Sequence, residues 1–566
     1  MSVETEYERW VEHADELRDE LQALQDDATA QRDAFYRDLA FGTGGLRGII
    51  GAGPNRMNVY TVAKATQGLA DYLKARFDEP CVAIARDSRN KGELFCQVAA
   101  GVLAANGVRA LLYPRIEPTP ALSFAVRDLG CSAGICMTAS HNPAEYNGYK
   151  VYGPDGCQIT TQAARDIQAA IDAVDVFDGV RRIGFAQALD EGLASWIGDD
   201  TLDRFIDACA AASLSDASGP LKLVYTPLHG AGLECVSRIL ERIGVRDVVV
   251  EPEQAVANGD FPTCPYPNPE VREALERGLA LAAAEQADLL LATDPDTDRV
   301  GIAVVKDGQP MLLTGNEVGI LLLDYVCEMR AARGEDVRDA VVCTTIVSSA
   351  MADALSADRG FELRRTLTGF KFIGEQIGLL EAVGQANRFA FGFEESYGYL
   401  AGTAVRDKDA VVASMLICEM ARWHRVQGRD LVDAMRLLYE RYGYYRNGLI
   451  SISYPGAEGA DRMAQITAGL RSQPPAEVAG LAVERMVDYK PGAPMPITGG
   501  RGDAEAQQLP GADVLEFQLA GGNKLLVRPS GTEPKIKAYL FVKAESAEAA
   551  DALLSQLDAA ARELLS

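Results

Sequence analysis

Short apolar runs alternate with longer segments of helical periodicity through most of the chain. The apolar runs are 81–85, 108–113, 131–137, 221–225, 288–292 and 340–345. Runs of this length between polar loops predict buried strands, and the helical segment 92–106 predicts a crossover between the first two. Because the order of strand, polar loop and helix recurs at wide intervals, the pattern indicates three related α/β domains.

Both ends of the chain depart from this pattern. Residues 4–40 carry apolar side chains at helical spacing among many charges, which predicts two helices before the first domain. Near the other end, apolar runs predict strands at 514–519, 524–528 and 536–542, followed by a long amphipathic helix over 547–565. The predicted fold class is therefore α/β, with three related mixed α/β domains followed by a C-terminal α+β domain.

Polar tracts and tracts rich in glycine or proline give the predicted boundaries. Helical patterning over 160–214, including 196–212, ends in the linker 213–220, and the tracts 453–460 and 490–502 predict mobile connections. The predicted divisions are a helical extension at 1–40, α/β domains at 41–215, 216–312 and 313–455, and an α+β domain at 456–566.

Composition limits the partners of the protein. The formal net charge of −26 over 566 residues disfavours binding to nucleic acid or to an anionic membrane, since those surfaces repel such a field. No run approaches the ~18 apolar residues that span a bilayer, and the acidic start lacks a signal-peptide core, so a cytoplasmic protein is expected. The 11 cysteines are scattered in apolar segments without paired Cys-x-x-Cys spacing, which predicts buried free thiols.

A hydroxyl stands among groups suited to phosphate at Ser140. It follows a predicted strand, in the sequence Thr-Ala-Ser-His-Asn-Pro, and tight turns predicted at 142–143 and 147–148 would hold it at the tip of a loop. A serine hydroxyl becomes a nucleophile when a neighbour activates it, and His141 and Lys150 are the nearby candidates. From the residues alone, a helix-capping serine is the alternative.

Three aspartates, Asp294, Asp296 and Asp298, follow another predicted strand. Alternate carboxylates on an extended chain point to one side, and three converging carboxylates attract a cation. An EF-hand loop is excluded because Arg299 stands where that loop needs glycine and Val305 where it needs glutamate. Three oxygen ligands that leave room for a phosphoryl oxygen indicate Mg²⁺ in phosphoryl transfer.

Four further loops carry groups that suit a sugar phosphate. The Gly-rich turn 41–48 leaves Arg47 projecting beside a close backbone approach. The loops 368–371 and 392–399 present hydroxyls, carboxylates and aromatic rings that suit a sugar. The turn 528–535 combines an arginine, hydroxyls and a glycine, which suits a phosphate dianion.

These motifs, in this order, resemble the loops of the α-D-phosphohexomutase superfamily. The phosphoserine loop of that superfamily is similar to Thr-Ala-Ser-His-Asn-Pro with the following Tyr-Asn-Gly-Tyr-Lys, and its metal loop is similar to 294–299, with Pro295 in place of a common glycine. The resemblance implies that Ser140 carries a phosphoryl group in the resting enzyme, with Arg47 beside it. It also implies a Mg²⁺ held by Ser140 and the three aspartates, with Arg299 assisting, in a central cleft where four domains meet.

The third-domain loops resemble sugar-binding loops and favour glucose. Gly-Phe-Glu-Glu-Ser is similar to the Gly-Glu-Glu-Ser loop of the phosphoglucomutase branch, and not to the Gly-Glu-Met-Ser-Gly-His form of dual-specificity members. That match implies substrate contacts by Glu394 and Ser396. The loop Thr-Gly-Phe-Lys implies contacts by Thr368, Gly369 and Phe370, although Phe370 replaces the family's tryptophan.

Two further assignments follow from the same resemblance. Lys408, in Arg-Asp-Lys-Asp, matches a lysine proposed to transfer a proton in that branch, and it rivals Lys150 as general base. The turn that begins at Arg528 resembles the phosphate-binding loop of the fourth domain. The residues implied at that phosphate site are Arg528, Ser530, Gly531, Thr532 and Lys537.

The resemblance implies a reversible conversion of α-D-glucose 1-phosphate and glucose 6-phosphate through glucose 1,6-bisphosphate, which also serves as activator. Small sugar phosphates are then the expected partners, beside the cofactor Mg²⁺. The alternatives are mutases of pentose or mannose phosphates, a phosphatase that passes the phosphoryl group to water, and a sugar-phosphate-binding regulator. Monomer and dimer are both open.

Overall fold

The computed structural model describes residues 2–42, 44–216, 218–454, 457–492, 494–495, 507–529 and 535–566. The chain forms two compact units. The first contains Met1–Leu313, Gly374–Ala386 and Gly398–Arg422, and the second contains Thr314–Ile373, Asn387–Tyr397 and Trp423–Ser566. Within the described residues, no helix has the length and apolar character needed to cross a membrane.

Helices of the described residues are spread over the whole chain. They are α1 (Val3–His13), α2 (Arg18–Leu24), α3 (Ala28–Phe35), α4 (Val59–Lys74), α5 (Gly92–Ala105), α6 (Thr119–Asp128), α7 (Thr161–Asp172), α8 (Phe185–Asp190), α9 (Asp199–Ala211), α10 (Gly232–Arg242), α11 (Arg272–Ala284), α12 (Gly315–Ala332), α13 (Met351–Arg359), α14 (Lys371–Ala382), α15 (Ala410–Val426), α16 (Leu431–Tyr442), α17 (Ala457–Ser472) and α18 (Ala547–Leu564).

Strands alternate with these helices up to the last domain. They are β1 (Gly45–Ile49), β2 (Cys81–Arg86), β3 (Arg109–Leu112), β4 (Ala133–Met137), β5 (Tyr146–Tyr152), β6 (Ala194–Trp196), β7 (Leu223–Thr226), β8 (Val248–Val250), β9 (Leu289–Thr293), β10 (Val300–Lys306), β11 (Gln309–Leu313), β12 (Val341–Thr345), β13 (Glu362–Thr366), β14 (Phe389–Glu394), β15 (Gly398–Leu400), β16 (Tyr444–Ser453), β17 (Glu477–Val478), β18 (Leu481–Asp488), β19 (Pro494–Met495), β20 (Gln507–Gln508), β21 (Leu515–Leu519), β22 (Asn523–Pro529) and β23 (Lys535–Ala544).

The first sheet of the first unit has the strand order β1-β5-β4-β2-β3-β6. Its centre is parallel, because β2 pairs with β3 and with β4, and Arg86 lies opposite Met137 at their carboxyl ends. Strands β5 and β1 are added antiparallel at one edge. Since β2 and β4 end at the same edge of the sheet, the polar residues that follow them are brought together there.

The tight turn predicted at 147–148 is wrong, because both residues lie inside β5. Asn147 is buried, and its side-chain amide donates to the Asn90 carbonyl at 2.9 Å. A side chain on Gly148 would place its Cβ 2.4 Å from the Thr138 carbonyl oxygen. The glycine therefore permits close strand packing and does not reverse the chain.

Three helices, and not the predicted two, precede the first sheet. The extra break lies between α2 and α3, where the Asp27 carboxylate accepts the main-chain N–H groups of Thr29 and Ala30 at 3.1 and 2.9 Å. Such an N-cap starts a new helix within a continuous apolar periodicity. Trp10 and Phe35 join the three helices in a small apolar cluster of their own.

The second sheet of the first unit has the order β11-β10-β9-β7-β8. Strand β7 pairs in parallel with β8 and β9, while β10 and β11 continue the sheet antiparallel. Every residue of β9 is buried, and the strand ends directly before Asp294. In the segment 196–212, which was predicted to be helical, Trp196 lies in β6 and α9 begins only at Asp199.

The second unit combines a parallel layer with an antiparallel sheet. Strand β12 pairs in parallel with β13 and β14. The C-terminal sheet has the order β16-β23-β22-β21-β18-β17, and α18 packs against it. Apolar residues of both layers, including Ile346, Leu367, Tyr539 and Phe541, form one core. Three α/β sheets followed by an antiparallel sheet with helices confirm the predicted fold class.

Two tracts near the last domain, 453–460 and 490–502, were predicted to be mobile connections. Helix α17 begins inside the tract 453–460, so that tract is not a simple linker. Most of the tract 490–502 lies outside the described residues. The exact domain divisions stay predictions.

Candidate active site

Ser140 lies on the turn that follows β4, and only 3% of the residue is exposed. Its backbone has φ 53°, in the left-handed region, and its N–H donates to Thr138 Oγ1 at 2.8 Å. The hydroxyl donates to Asp294 Oδ2 at 2.9 Å. A left-handed residue other than glycine persists only where its surroundings hold it, and such residues cluster at functional sites. Here the turn directs the hydroxyl at a carboxylate.

Arg89 and Asp87, which follow β2, hold this turn in place. The Arg89 guanidinium donates to the main-chain carbonyls of Ser140 (2.6 Å), Pro143 (2.8 Å), Tyr146 (2.9 Å) and Asn142. Asp87 lies 3.4 Å from the Arg89 Nε and accepts from Thr138 Oγ1 at 2.6 Å. Burial raises the pKa of Asp87 to about 6, although the Arg89 charge opposes this shift. The turn is therefore fastened by a buried ion pair.

Arg89→Ala should destabilise the first unit by about 3–5 kcal/mol, because Asp87 would keep a buried charge without its partner. Thermal unfolding followed by circular dichroism measures the loss. The matched control is Arg86→Ala, which removes a pair with the exposed Glu93 at 3.3 Å and should cost at most ~1 kcal/mol. Equal melting temperatures for the two variants would contradict the role assigned to Arg89.

The three aspartates lie on a tight turn between β9 and β10, and not on an extended chain as predicted. Thr297 has φ 57°, and the N–H groups of Asp298 and Arg299 donate to Asp294 Oδ1 at 3.1 and 3.0 Å. One carboxylate oxygen from each of Asp294, Asp296 and Asp298 lies within 4.8 Å of the others. The turn, and not strand alternation, brings the carboxylates together.

The aspartate cluster fits a divalent cation. Asp296 Oδ1 and Asp298 Oδ1 are buried and have no hydrogen-bond donor among the described residues, although Arg299 Nε lies 3.8 Å from the second. Burial and the neighbouring carboxylates raise the pKa of Asp294 well above its ordinary value. Buried carboxylate oxygens without donors are costly unless a cation binds them, and hard oxygen ligands suit Mg²⁺.

Lys150 and Lys408 reach the cluster from two separate segments of the first unit. Lys150 Nζ lies 2.7 Å from Asp296 Oδ2 and 3.3 Å from Asp298 Oδ2. Lys408 Nζ lies 3.3 Å from Asp298 Oδ2 and 3.3 Å from Asp407 Oδ1. Burial would lower the pKa of Lys150, but Asp296 and Asp298 outweigh burial and raise that pKa. The two predicted general bases therefore lie at one centre.

Three further polar groups border the candidate serine. His141 Nδ1 lies 3.2 Å from the serine Oγ, and burial, with the charges of Arg299 and Arg47, lowers the pKa of His141 well below its ordinary value. Arg47 lies on β1, is exposed, and donates to Asn142 Oδ1 at 3.2 Å. Arg299 donates to Glu270 Oε1 at 2.6 Å. A lowered pKa favours the neutral His141 ring, which has one nitrogen that donates and one that accepts a hydrogen bond.

The loop after β14 belongs to the second unit. Glu394 ends the strand and is buried, with 4% of the residue exposed, while Ser396 is half-buried. Glu395 Oε2 accepts from Thr345 Oγ1 and from Ser348 Oγ, each at 3.0 Å. Burial, and then the Glu394 charge, raises the pKa of Glu395 to about 7. Glu395 therefore anchors the loop that presents its two neighbours.

The three predicted sugar-binding residues of the loop before α14 differ in how deeply they are buried. Thr368 and Gly369 are half-buried, whereas only 2% of Phe370 is exposed. The Phe370 ring is thus packed inside the second unit and offers no open face for stacking on a sugar.

Arg528 lies on β22, directly opposite Lys537 on β23. The guanidinium lies close enough to the Tyr539 hydroxyl to influence its ionisation. Burial, with Glu395 nearby, raises the pKa of Tyr539 to about 12, although Arg528 opposes the shift. The remaining residues predicted at this phosphate site, Ser530, Gly531 and Thr532, lie outside the described residues. Two cationic side chains therefore share one face of the sheet.

Sequence reasoning missed several residues that position the site. They are Asp87, Arg89, Thr119, Tyr152 and Asp407. Thr119 donates to Asp296 through its N–H at 2.9 Å and through its hydroxyl at 3.1 Å. The Tyr152 hydroxyl donates a hydrogen bond to Asp407 Oδ2 at 2.8 Å. The available signals were the polar loop 86–89 directly after a buried strand and the place of Asp407 next to Lys408 in Arg-Asp-Lys-Asp.

The site combines a buried hydroxyl, a carboxylate cluster and two lysines on consecutive α/β sheets. These groups are typical of a phosphoryl-transfer enzyme. Family models give the more specific class. The model of the phosphoglucomutase/phosphomannomutase α/β/α domain I matches residues 38–176, that of domain II matches 203–308, and that of domain III matches 314–442. The chain belongs to the phosphoglucomutase/phosphomannomutase family, which confirms the resemblance of its motifs.

Similar proteins cover nearly all of the chain. A phosphoglucomutase of Staphylococcus aureus (strain bovine RF122 / ET3-1) is 34% identical over 544 residues, which are 95% of this chain and 95% of that protein. One from Staphylococcus epidermidis is 34% identical over 525 residues, covering 91% of this chain and 92% of that protein. These relatives span the fourth domain as well as the three family models.

Solved structures of the family share the fold. A phosphoglucomutase/phosphomannomutase family protein from Burkholderia thailandensis superposes with a TM-score of 0.66 at 18% identity, over 93% of this chain and 96% of that chain. Parafusin, a phosphoglucomutase of Paramecium, superposes with a TM-score of 0.64 at 14% identity, over 94% and 95% of the two chains. At these identities the likeness concerns the fold alone.

Proposed function

We propose that this protein is a phosphoglucomutase that interconverts α-D-glucose 1-phosphate and glucose 6-phosphate through phosphorylated Ser140. The observation that carries the proposal is the buried hydroxyl of Ser140, 2.9 Å from Asp294 Oδ2, beside two carboxylate oxygens that have no donor among the described residues. A cation bound by those oxygens would compensate the negative charge of a phosphoryl group on that hydroxyl. Phosphoglucomutases at 34% identity over 95% of the chain support the choice of sugar.

We infer that Mg²⁺ is the cation, with the aspartate cluster and a phosphoryl oxygen on Ser140 as its ligands. When bound, Mg²⁺ offsets charge on the transferring phosphoryl group. The residues of the chain keep the ligands in position. Lys150 and Thr119 hold the Asp296 carboxylate, and main-chain N–H groups hold that of Asp294.

The contacts of the two lysines suggest different roles. Lys150 is held at 2.7 Å from one buried carboxylate, so we assign it to balancing charge around the cluster. Lys408 Nζ lies 3.3 Å from Asp298 Oδ2 and 3.3 Å from Asp407 Oδ1, so it borders the cluster from a second segment. We assign the exchange of a proton with the attacking sugar hydroxyl to Lys408, with His141, 3.2 Å from the Ser140 hydroxyl, serving the serine side.

We assign recognition of the sugar and of the non-reacting phosphate to the second unit. Glu394 and Ser396 offer a carboxylate and a hydroxyl next to the anchored Glu395. Arg528 and Lys537 lie side by side across two strands and present paired positive charge, which suits a phosphate dianion. Glucose 1,6-bisphosphate, which carries two phosphates, is the proposed activator because it can phosphorylate Ser140. A cytoplasmic location stays a prediction from composition.

The test of the proposed function is a comparison of sugar phosphates. Initial rates should be measured with the 1-phosphates of glucose, mannose, glucosamine and ribose at saturating Mg²⁺. We expect the highest kcat/KM for glucose 1-phosphate, by about tenfold or more. A higher value for another sugar would reassign the substrate, and inorganic phosphate as the main product would indicate a phosphatase.

Arg528→Ala should raise KM for both glucose phosphates by about ten- to a hundredfold, because a charge-assisted phosphate contact contributes roughly 1.5–3 kcal/mol. One anion site serves both substrates, so both directions of the reaction should be affected alike. The weaker grip should also release the bisphosphate, so that turnover depends on added glucose 1,6-bisphosphate. Steady-state kinetics in both directions, with and without the activator, measure these effects.

The matched control for that prediction is Arg446→Ala, in the same sheet. Arg446 pairs with the exposed Asp551 at 2.7 Å and lies outside the proposed phosphate site. Its removal should leave KM and activator dependence unchanged. Identical kinetics of the Arg528 and Arg446 variants would remove Arg528 from the phosphate site.

A further inference from the structure

We propose that Cys81 and Cys131 form an oxidation site that reacts with a hydroperoxide and closes to a reversible disulfide. Their Sγ atoms lie 3.4 Å apart. Both residues are buried free thiols in the first unit. Neither residue belongs to the proposed site of phosphoryl transfer, so this chemistry would be independent of the mutase reaction.

The backbone already holds the two cysteines together. Cys81 begins β2, and Cys131 lies two residues before β4, its parallel neighbour. Between these strands the Ser132 N–H donates to the Cys81 carbonyl at 2.7 Å. Closing a disulfide between residues that are fixed this way needs side-chain rotation and little backbone movement.

Arg109 distinguishes the two thiols. It lies on β3 directly opposite Cys81, and its positive charge favours the thiolate form of that residue. The hydrogen bond from Cys131, and then the Arg109 contact, lower the pKa of Cys81 to about 6 against the effect of burial. Cys131 shows the opposite shift, since its contact with Cys81 and its burial raise its pKa. We assign Cys81, which lies opposite the Arg109 cation, as the attacking thiolate and Cys131 as the resolving thiol.

Exposed residues surround this buried pair. Cys81 is 4% exposed and Cys131 2% exposed, but Glu79, Arg109 and Gly130 around them are all exposed. A Cβ built on Gly130 would meet no atom within 4 Å, so the space beside this residue is open. The thiols lie just beneath the surface, at the amino ends of their strands. We therefore expect a small oxidant of the size of hydrogen peroxide, and not a protein, to oxidise this pair.

The chemistry balances with one peroxide per disulfide. The Cys81 thiolate attacks one peroxide oxygen, an S–O bond forms, the O–O bond breaks, and the departing hydroxide takes a proton to become water. The Cys131 sulfur then attacks the sulfenic sulfur, an S–S bond forms, the S–O bond breaks, and the hydroxyl leaves as water with the Cys131 proton. Two thiols are oxidised by two electrons, and one hydrogen peroxide is reduced to two waters.

The disulfide would brace the sheet without touching the serine turn. It would join the amino ends of β2 and β4, whereas Arg89 and Ser140 follow the carboxyl ends of the same strands. The crosslinked cysteines are 50 residues apart in sequence, and a loop of this length stabilises a fold by restricting the unfolded chain. We expect a melting temperature raised by a few degrees and an unchanged mutase rate.

The experiment treats the reduced full-length protein with a few equivalents of hydrogen peroxide. Remaining thiols are blocked with N-ethylmaleimide, and peptides are mapped by mass spectrometry without reduction. We expect the loss of two thiols, one linked peptide pair containing Cys81 and Cys131, and full reversal by dithiothreitol. In Cys131→Ala, dimedone should label a sulfenic acid at Cys81. Cys96→Ala is the matched control and should keep the link, because burial raises the pKa of the Cys96 thiol to about 12.

The mapping of the wild-type protein decides the matter even if a variant fails to fold. Linkage of Cys81 to any other cysteine would overturn the proposal. So would unlinked sulfinic or sulfonic acid at Cys81, or an unchanged thiol count at peroxide concentrations that oxidise a model dithiol. A link that forms only after denaturation would show that the native fold excludes the oxidant, and it would overturn the proposal as well.

Discussion

Ser140→Ala is expected to lower kcat by about a thousandfold or more in both directions, because the hydroxyl that carries the phosphoryl group is removed. KM should change little, since sugar and phosphate recognition are assigned to residues of the second unit. The folded state should survive, because the lost side-chain contacts are those to Asp294 and His141 at the turn. A coupled assay with glucose 1,6-bisphosphate and Mg²⁺ present measures kcat.

Ser132→Ala is the matched control for that loss. Ser132 directly precedes β4, the strand that Ser140 follows, and only 8% of it is exposed. Its hydroxyl oxygen lies 3.4 Å from the Cys81 nitrogen. It should keep the wild-type kcat. Near-normal turnover by the Ser140 variant would sink the assignment of the nucleophile, whatever the result for the control.

Asp296→Asn is expected to lower kcat by about a hundredfold or more while changing KM much less, because the cation acts on charge that develops during transfer. The same variant should bind Mg²⁺ or Mn²⁺ more weakly in isothermal titration calorimetry. Chelation with EDTA should abolish turnover in the wild type, and added Mg²⁺ should restore it. Unchanged rates in excess EDTA would contradict a metal-dependent mechanism.

A matched control for the aspartate lies at the other end of β10. Asp307 occupies a left-handed position, with φ 51°, which asparagine also adopts readily. Asp307→Asn should therefore leave stability, metal affinity and kcat unchanged. A similar loss of metal affinity in both variants would mean that net charge, and not ligation, explains the effect.

Local sequence patterns predicted most of the fold, because short apolar runs between polar loops mark buried strands. The run 288–292 corresponds to β9 at Leu289–Thr293, and the helix predicted at 547–565 corresponds to α18 at Ala547–Leu564. The errors occurred where one residue type is compatible with two local structures. Gly148 was interpreted as a turn glycine, but the Thr138 carbonyl requires a residue without a Cβ inside a strand.

The sequence predicted the site residues that form a local motif. It missed the residues whose contacts join segments far apart in the sequence. Asp294, Asp296 and Asp298 form a local motif, whereas Arg89 acts on Ser140 across 51 residues of sequence. An arginine in a polar loop resembles a surface residue until the strands are placed in register. Even in the aspartate motif the geometry differed from expectation, because Thr297 turns the chain that an alternating pattern would extend.

The most direct measurement of the central claim is phosphopeptide mapping of the enzyme during turnover. The protein should be incubated with glucose 1-phosphate labelled in its phosphate and with Mg²⁺, quenched in acid and digested. The account predicts one labelled phosphoryl group per chain, on Ser140, which unlabelled glucose 6-phosphate removes on a chase. Label on another residue, or catalysis without any labelled protein, would contradict it.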